Sequence, residues 1–215
     1  MHLKNQQNFK GLMLTEHRVD NCCTLKQRLE AMPEDSVLFR TDFPEYHAEF
    51  VGSVLSELTE KGILTKISQG IYVKPRISRF GIVLPSIEKV VEAIAIRDNA
   101  QVLPTGITAL NALGLSTQVP TNYTYLTTGS ERVIHLAHCQ VLLKRGVPKN
   151  FCYRTRIMAL LVQALKALKK ENVGDEEIQI IRSLLSKEAD KKTLSEDISM
   201  APAWIKQIVK PILNA

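Results

Sequence analysis

No apolar run in this 215-residue chain approaches the roughly 20 residues that a bilayer-spanning helix needs. The first twenty residues, MHLKNQQNFKGLMLTEHRVD, also lack the apolar core of a signal peptide. We therefore expect a cytoplasmic protein with no membrane partner. Cysteine is scarce, at four residues: Cys22 and Cys23 are adjacent, whereas Cys139 and Cys152 lie far along the chain. That spacing is no disulfide framework, and we read all four as reduced thiols. No Gly-Lys-Ser/Thr occurs, so the segment from Thr105-Gly106 to Gly114 reads as a capped helix rather than a phosphate-binding loop.

Hydrophobic residues make up 45% of the chain, enough to fill a real core. The net charge of +6 is unevenly spread: residues 82–157 carry eight Lys/Arg against four Asp/Glu, while the flanking stretches are nearly balanced. A basic excess suggests a polyanionic or acidic partner, and its location says more than its sum.

Residues 1–18 have no sustained period and read as an amino-terminal arm. Leu25, Leu29 and Met32 then recur at helical spacing, predicting a short helix over 20–32 that Pro33 stops. Val37-Leu38-Phe39 reads as a short strand. Thr41 or Asp42 can cap a second short helix, which Pro44 interrupts. Between His47 and Lys61, the positions Phe50, Val51, Val54, Leu55 and Leu58 share one helical face, and Gly62 supplies a left-handed end. Ile63–Ile67 and Ile71–Lys74, joined through Ser68-Gln69-Gly70, read as a β-hairpin ended by Pro75. Helix, strand, helix, longer helix and hairpin is the order of a winged helix-turn-helix, which we assign to residues 19–81.

A connector over 76–84 leads to a second unit, 82–215. Ser86 caps a helix whose apolar face is Ile87, Val90, Val91, Ile94 and Ala95, and Pro104-Thr105-Gly106 opens another that ends at Gly114. Segments 123–127, 133–136 and 140–143 read as three strands of a small antiparallel sheet, with Thr128-Gly129-Ser130 as the first turn. Helices over 156–170, 175–188 and 201–213 complete the chain, and Asp175-Glu176-Glu177 is a helix start that favours negative charge. The predicted class is α+β: a winged helix followed by a mixed domain that ends in helices.

Gln69-Gly70-Ile71-Tyr72-Val73-Lys74-Pro75, Leu103-Pro104-Thr105-Gly106, the stretch from Asn111 to Pro120 and Tyr123 to Gly129 together resemble the abortive-infection-type (AbiEi-like) antitoxins. The resemblance covers about residues 20–150; beyond it only Ala201-Pro202-Ala203-Trp204-Ile205 matches loosely. It implies an amino-terminal winged helix that represses its own promoter and a carboxy-terminal domain that counteracts a nucleotidyltransferase-like toxin. The chain itself is expected to be no enzyme and to need no cofactor. Gly129-Ser130 is similar to the Gly-Ser of nucleotidyltransferases, but that chemistry needs carboxylates to hold magnesium, and no Asp-x-Asp occurs.

For DNA contact the candidates are His47, Ser53 and Gln69, which could reach base edges, and Lys66, Lys74, Arg76 and Arg79 near the wing, which could position on phosphates. Against this, the recognition-helix window 42–60 holds Asp42, Glu45, Glu49, Glu57 and Glu60 and no Lys or Arg. A helix in a major groove normally gains from neutralised phosphates, and the alternative reading is an interaction module that binds no DNA. Lys144, Arg145, Lys149, Arg154 and Arg156, interleaved with Phe151 and Tyr153, are the candidate surface for the toxin, with a solvated strand edge as the bland alternative. His135, His138 and Cys139 carry metal-ligand chemistry, but strand alternation and the lack of a second ligand pair argue against a metal.

Overall fold

The computed structural model describes residues 24–136 and 139–213, so the expected arm, Cys22, Cys23 and His138 lie outside the described residues. The chain divides into two compact units, one ending at Val90 and the other beginning at Val91. Helices and small sheets occur in both, and the class is α+β.

In the first unit, helix α1 covers the described residues 24–30. It is followed by strand β1 (Val37–Phe39), a 3-10 turn (Arg40–Asp42), helix α2 (Ala48–Glu60), and the hairpin of β2 (Thr65–Ser68) and β3 (Ile71–Val73). The sheet order is β1-β3-β2, antiparallel throughout, with Val73 opposite both Val37 and Thr65. The four-residue period of α2 buries Val51, Val54, Leu55 and Leu58 against Leu25, Leu29, Leu38, Phe43, Leu64 and Tyr72. At roughly 1.5–3 kcal/mol for each fully buried large aliphatic side chain, this interlock holds helices and sheet together. Gly62 (φ 73°) lets the chain leave α2 in the left-handed conformation, and Gly70 (φ 72°) does the same at the hairpin tip.

The predicted second helix is shortened to the single 3-10 turn. Asp42 accepts a hydrogen bond from the Phe39 amide at 2.8 Å, which closes the turn. Pro44 then disfavours helical geometry for Phe43, which sits at φ −123°, ψ 63°. A single 3-10 turn thus stands between β1 and α2 where a helix was expected. Residues 76–84, read as a connector, instead form an antiparallel hairpin of β4 (Arg76–Ser78) and β5 (Gly81–Val83).

The second unit follows from within α3 (Ile87–Arg97) and contains β6 (Val102–Pro104), α4 (Gly106–Ala112), β7 (Asn122–Thr127), β8 (Arg132–His135) and β9 (Gln140–Arg145). The sheet order is β6-β7-β9-β8. Of the three expected strands, β8 and β9 pair antiparallel as expected, but β7 and β9 pair in parallel, from Asn122 opposite Gln140 to Thr127 opposite Arg145; β6, which was not expected, pairs antiparallel with β7. The turn after Thr127 therefore does not join neighbouring strands. Val141 and Leu143 make β9 the strand with two buried aliphatics, so it takes the interior place, whereas β8 buries only Ile134 and serves as an edge.

Helices α5 (Arg156–Leu168), α6 (Asp175–Ser186), α7 (Lys191–Met200) and α8 (Ala203–Leu213) close the chain. They build a core with α4 in which Met158, Leu161, Leu165, Ile181, Leu194 and Ile205 are essentially inaccessible. Sequence periodicity missed α7, because one of its three inward positions, between Leu194 and Ile198, is Asp197 rather than an apolar residue. Its start is fixed by Asp190, which accepts from the Thr193 amide at 3.0 Å. No helix among the described residues is long and apolar enough to cross a membrane.

Candidate functional site

In the first unit the surface of α2 is formed by Glu49, Ser53, Ser56 and Glu60, which recur at spacings of four and three and are all exposed. The carboxylates of the 42–60 window are disposed unequally. Asp42 is bound to the Phe39 amide, and Glu45 pairs with Arg28 at 2.7 Å. Glu57 lies between Lys26 at 2.6 Å and Lys61 at 2.8 Å. Hydrogen bonds from those two ammonium groups pull the Glu57 carboxyl down to about 2 from an ordinary 4.5. Three of the five acidic groups thus have partners inside the domain, leaving Glu49 and Glu60 at the two ends of the exposed stripe.

A cation that the sequence did not single out supplies what α2 lacks. Arg40 leaves the 3-10 turn, donates through Nε to the Ala48 carbonyl at 2.8 Å, and lays its guanidinium along Gly52. A Cβ at Gly52 would come within 3.2 Å of Arg40 Cζ, so the absent side chain makes the seat for this exposed group. The available signal was Gly52 itself, a helix-weakening residue in the middle of a well-formed amphipathic helix.

The sequence-derived candidates fall out as follows. His47 occupies the N-cap position of α2, with no side-chain capping bond, and is exposed, as is Ser53. Lys66 and Gln69 are exposed on the β2–β3 hairpin, and Arg76 and Arg79 on the β4–β5 hairpin. Lys74 separates from them. Its ammonium donates to the carbonyls of Glu30 and Met32, the latter at 2.7 Å, and so caps the end of α1 rather than facing solvent with the others.

In the second unit, Lys144 and Arg145 end β9, Lys149 lies on a 3-10 turn (Pro148–Phe151), and Arg154 and Arg156 flank the N-cap of α5; all five are exposed. A chain of polar groups fixes this segment. Thr105 donates to the buried Gln163 at 3.2 Å, and Gln163 donates to Asn150 at 3.3 Å. Lys166 also reaches Asn150, at 3.5 Å, and so joins the basic group from α5. Burial, and after it the Lys149 ammonium, holds Lys166 below the usual lysine range.

Asp197 anchors the other end. Its carboxylate is inaccessible and accepts from the Arg154 amide at 2.9 Å, the Thr155 amide at 2.8 Å and the Thr155 hydroxyl at 2.5 Å. Arg154 itself pairs with Glu196 at 2.8 Å, an exposed bridge of little energetic weight. Beside it, burial, with the Cys152 and Asp197 charges, pushes the Tyr153 phenol up to about 12.

His135 points outward from edge strand β8, and Cys139 and Cys152 are free thiols. Among the described residues, no three His, Cys, Asp or Glu side chains are grouped so as to hold a metal ion.

No curated protein matches the chain. Among solved structures, the crystal structure of the RV2827C protein from Mycobacterium tuberculosis is similar at a TM-score of 0.49 and 18% identity, over 88% of this chain and 75% of that one. Residues 24–193, well over half of the sequence, match a family of unknown function, and the chain belongs to that family, DUF6088.

Proposed function

We propose that this protein is a non-enzymatic antitoxin that binds the DNA of its own promoter through a winged helix in its first unit and counteracts a nucleotidyltransferase-like toxin through its second. The observation that carries the DNA half is the charge placement around α2. Three carboxylates of the window have intradomain partners, Arg40 is seated on Gly52, and the centre of the exposed stripe is small and polar at Ser53 and Ser56. A helix so arranged can approach base edges with Arg40 on a phosphate, while Lys66 and Gln69 lie on the wing. Lys74 is left out of that surface.

The toxin half rests on the antitoxin resemblance and on the exposed cations from Lys144 to Arg156. A nucleotidyltransferase-like enzyme presents an acidic, metal-binding cleft, and a basic face is steered toward it. The promoter target puts the protein in the cytoplasm, and neither role requires a cofactor.

Fluorescence anisotropy on labelled duplexes tiling the DNA upstream of the reading frame tests the first half. Tight binding to one tile, weakened by Arg40→Ala and by Lys66→Ala with a salt slope lower by roughly one unit each, is expected. Absence of binding at low salt would leave the interaction-only reading in its place. Growth rescue on co-expression with the toxin encoded beside the gene tests the second half. Reversal of Lys144, Arg145, Lys149, Arg154 and Arg156 should abolish rescue, and undiminished rescue would remove this surface from the mechanism.

A further inference from the structure

The β4–β5 hairpin exposes what folded proteins ordinarily cover. Ile77 and Ile82 stand directly opposite each other in the antiparallel register and so share one face, at 76% and 64% exposure. Phe80, at the tip, is 85% exposed. The tip is built rather than loose: the Ser78 hydroxyl donates to the Gly81 carbonyl at 3.0 Å and accepts from the Phe80 amide at 3.2 Å. Gly81 adopts φ 112°, which L side chains rarely adopt. Arg79 stacks over the Phe80 ring with its guanidinium carbon 4.7 Å from the centroid.

A two-stranded ribbon with a bare apolar face gains little on its own in water, and a clustered exposed apolar surface marks a contact site. Charge identifies the occupant. From Lys61 to Ile87 the sequence has no Asp or Glu; of its five cations Lys61 pairs with Glu57 and Lys74 caps α1, which leaves Lys66, Arg76 and Arg79 exposed for an outside partner. The other side of the contact is therefore anionic. It must also accept a flat, apolar wedge between charges, which is the chemistry of a DNA minor groove: phosphates along both rims for the arginines, and base steps between which isoleucine or phenylalanine can insert.

We propose that the β4–β5 hairpin is a DNA-binding arm, with Arg76 and Arg79 on the backbone and Ile77, Phe80 and Ile82 inserted at the minor groove. The inference deepens the reading of the first unit as a DNA-binding module and rests on it. The arm adds affinity and bends the duplex, while α2 and the wing choose the sequence.

The test uses the full-length protein, the upstream duplexes and a mixed-sequence duplex of equal length, with 2-aminopurine placed at successive steps to report unstacking. Arg76→Ala with Arg79→Ala should lower the salt slope by roughly two units on both kinds of duplex. Ile77→Ser, Phe80→Ser and Ile82→Ser together should leave the slope unchanged, cost at least about tenfold in affinity, and abolish the 2-aminopurine signal. These side chains are outside the buried core, so both variants should keep the wild-type far-UV spectrum and melting temperature. If wild type binds the upstream duplex and both hairpin variants bind it equally well with the same unstacking, the arm is refuted and the winged-helix reading stands. If wild type binds no duplex at low salt, both fall. Hairpin-dependent binding to phosphatidylglycerol vesicles without DNA binding would overturn the arm in favour of a membrane contact.

Discussion

Replacing Asp197 should destabilise the second unit selectively, because its carboxylate accepts from two amides at the entrance to α5. The Arg154 and Thr155 N–H groups donate to it at 2.9 and 2.8 Å, and the Thr155 hydroxyl at 2.5 Å, in a place solvent does not reach. Stranding a buried donor costs about 1–3 kcal/mol. The hydroxyl can turn to another acceptor, so Asp197→Ala leaves two amides stranded and adds a small void, for a loss of roughly 3–5 kcal/mol. Asp197→Asn keeps one acceptor oxygen but sets an NH2 group against the second amide, so its loss should be about 1–3 kcal/mol. A domain stable by about 5–15 kcal/mol would feel either change. The chain has one tryptophan, Trp204 in α8, packed against the same core as Leu194 and Ile198 of α7, so its fluorescence during urea unfolding reports this unit. Losses below about 1 kcal/mol for the alanine variant, or an asparagine variant as stable as wild type, would refute the account of Asp197 as the anchor of α5.

Gly52→Ala should raise the urea midpoint of the first unit by the equivalent of about 0.5–1 kcal/mol through helix propensity, while weakening DNA binding because the new methyl displaces Arg40; unchanged binding would detach Arg40 from the site. Glu57→Gln should be destabilising at neutral pH. A carboxyl held down to about 2 from 4.5 contributes stability that is complete above 4.5 and is lost as pH falls through 2, so the gap between variant and wild-type midpoints should close over that window. A pH-independent gap would count against the Lys26 and Lys61 pairing. Gly146→Ala places a Cβ 2.6 Å from Phe151 Cε2 and 3.2 Å from Leu126 Cβ, and should cost about 1–3 kcal/mol by Trp204 fluorescence.

What the sequence made legible was whatever local period and backbone chemistry decide. The buried face of α2, its glycine stop, the β2–β3 hairpin and the strands β7 and β9 all follow from spacing and turn residues. The order β6-β7-β9-β8 does not, because which strand takes the interior place depends on competition among the three for the helices that cover them. The β4–β5 hairpin escaped for the opposite reason: with neither face packed on a core, Arg-Ile-Ser-Arg-Phe-Gly-Ile-Val has no alternation that burial imposes. Helix α7 was hidden by Asp197, whose inward position makes sense only once the amides of Arg154 and Thr155 are seen beside it. At the candidate interface, Lys66 and Gln69 could be named because a hairpin tip is exposed wherever it goes. Arg40 could not, since its place over Gly52 is a tertiary fact.

The near-neutral charge of residues 1–81 conceals a sorting along the chain. Every carboxylate of that stretch lies before Lys61, and the run from Lys61 to Ile87 has cations alone. A polyanion approaching this unit is attracted first by the two hairpins, since Coulomb forces between exposed groups persist to about 8 Å at physiological salt. At that range α2, with Glu49 and Glu60 exposed, adds no attraction. Only in contact do distances become short enough for hydrogen bonds from Ser53, Ser56 and the seated Arg40 to count. On the proposed reading, steering therefore belongs to the hairpins and discrimination among sequences to α2. An acidic recognition helix then works in favour of specificity, because phosphates repel Glu49 and Glu60 on any duplex unless the base contacts of the right sequence offset that repulsion.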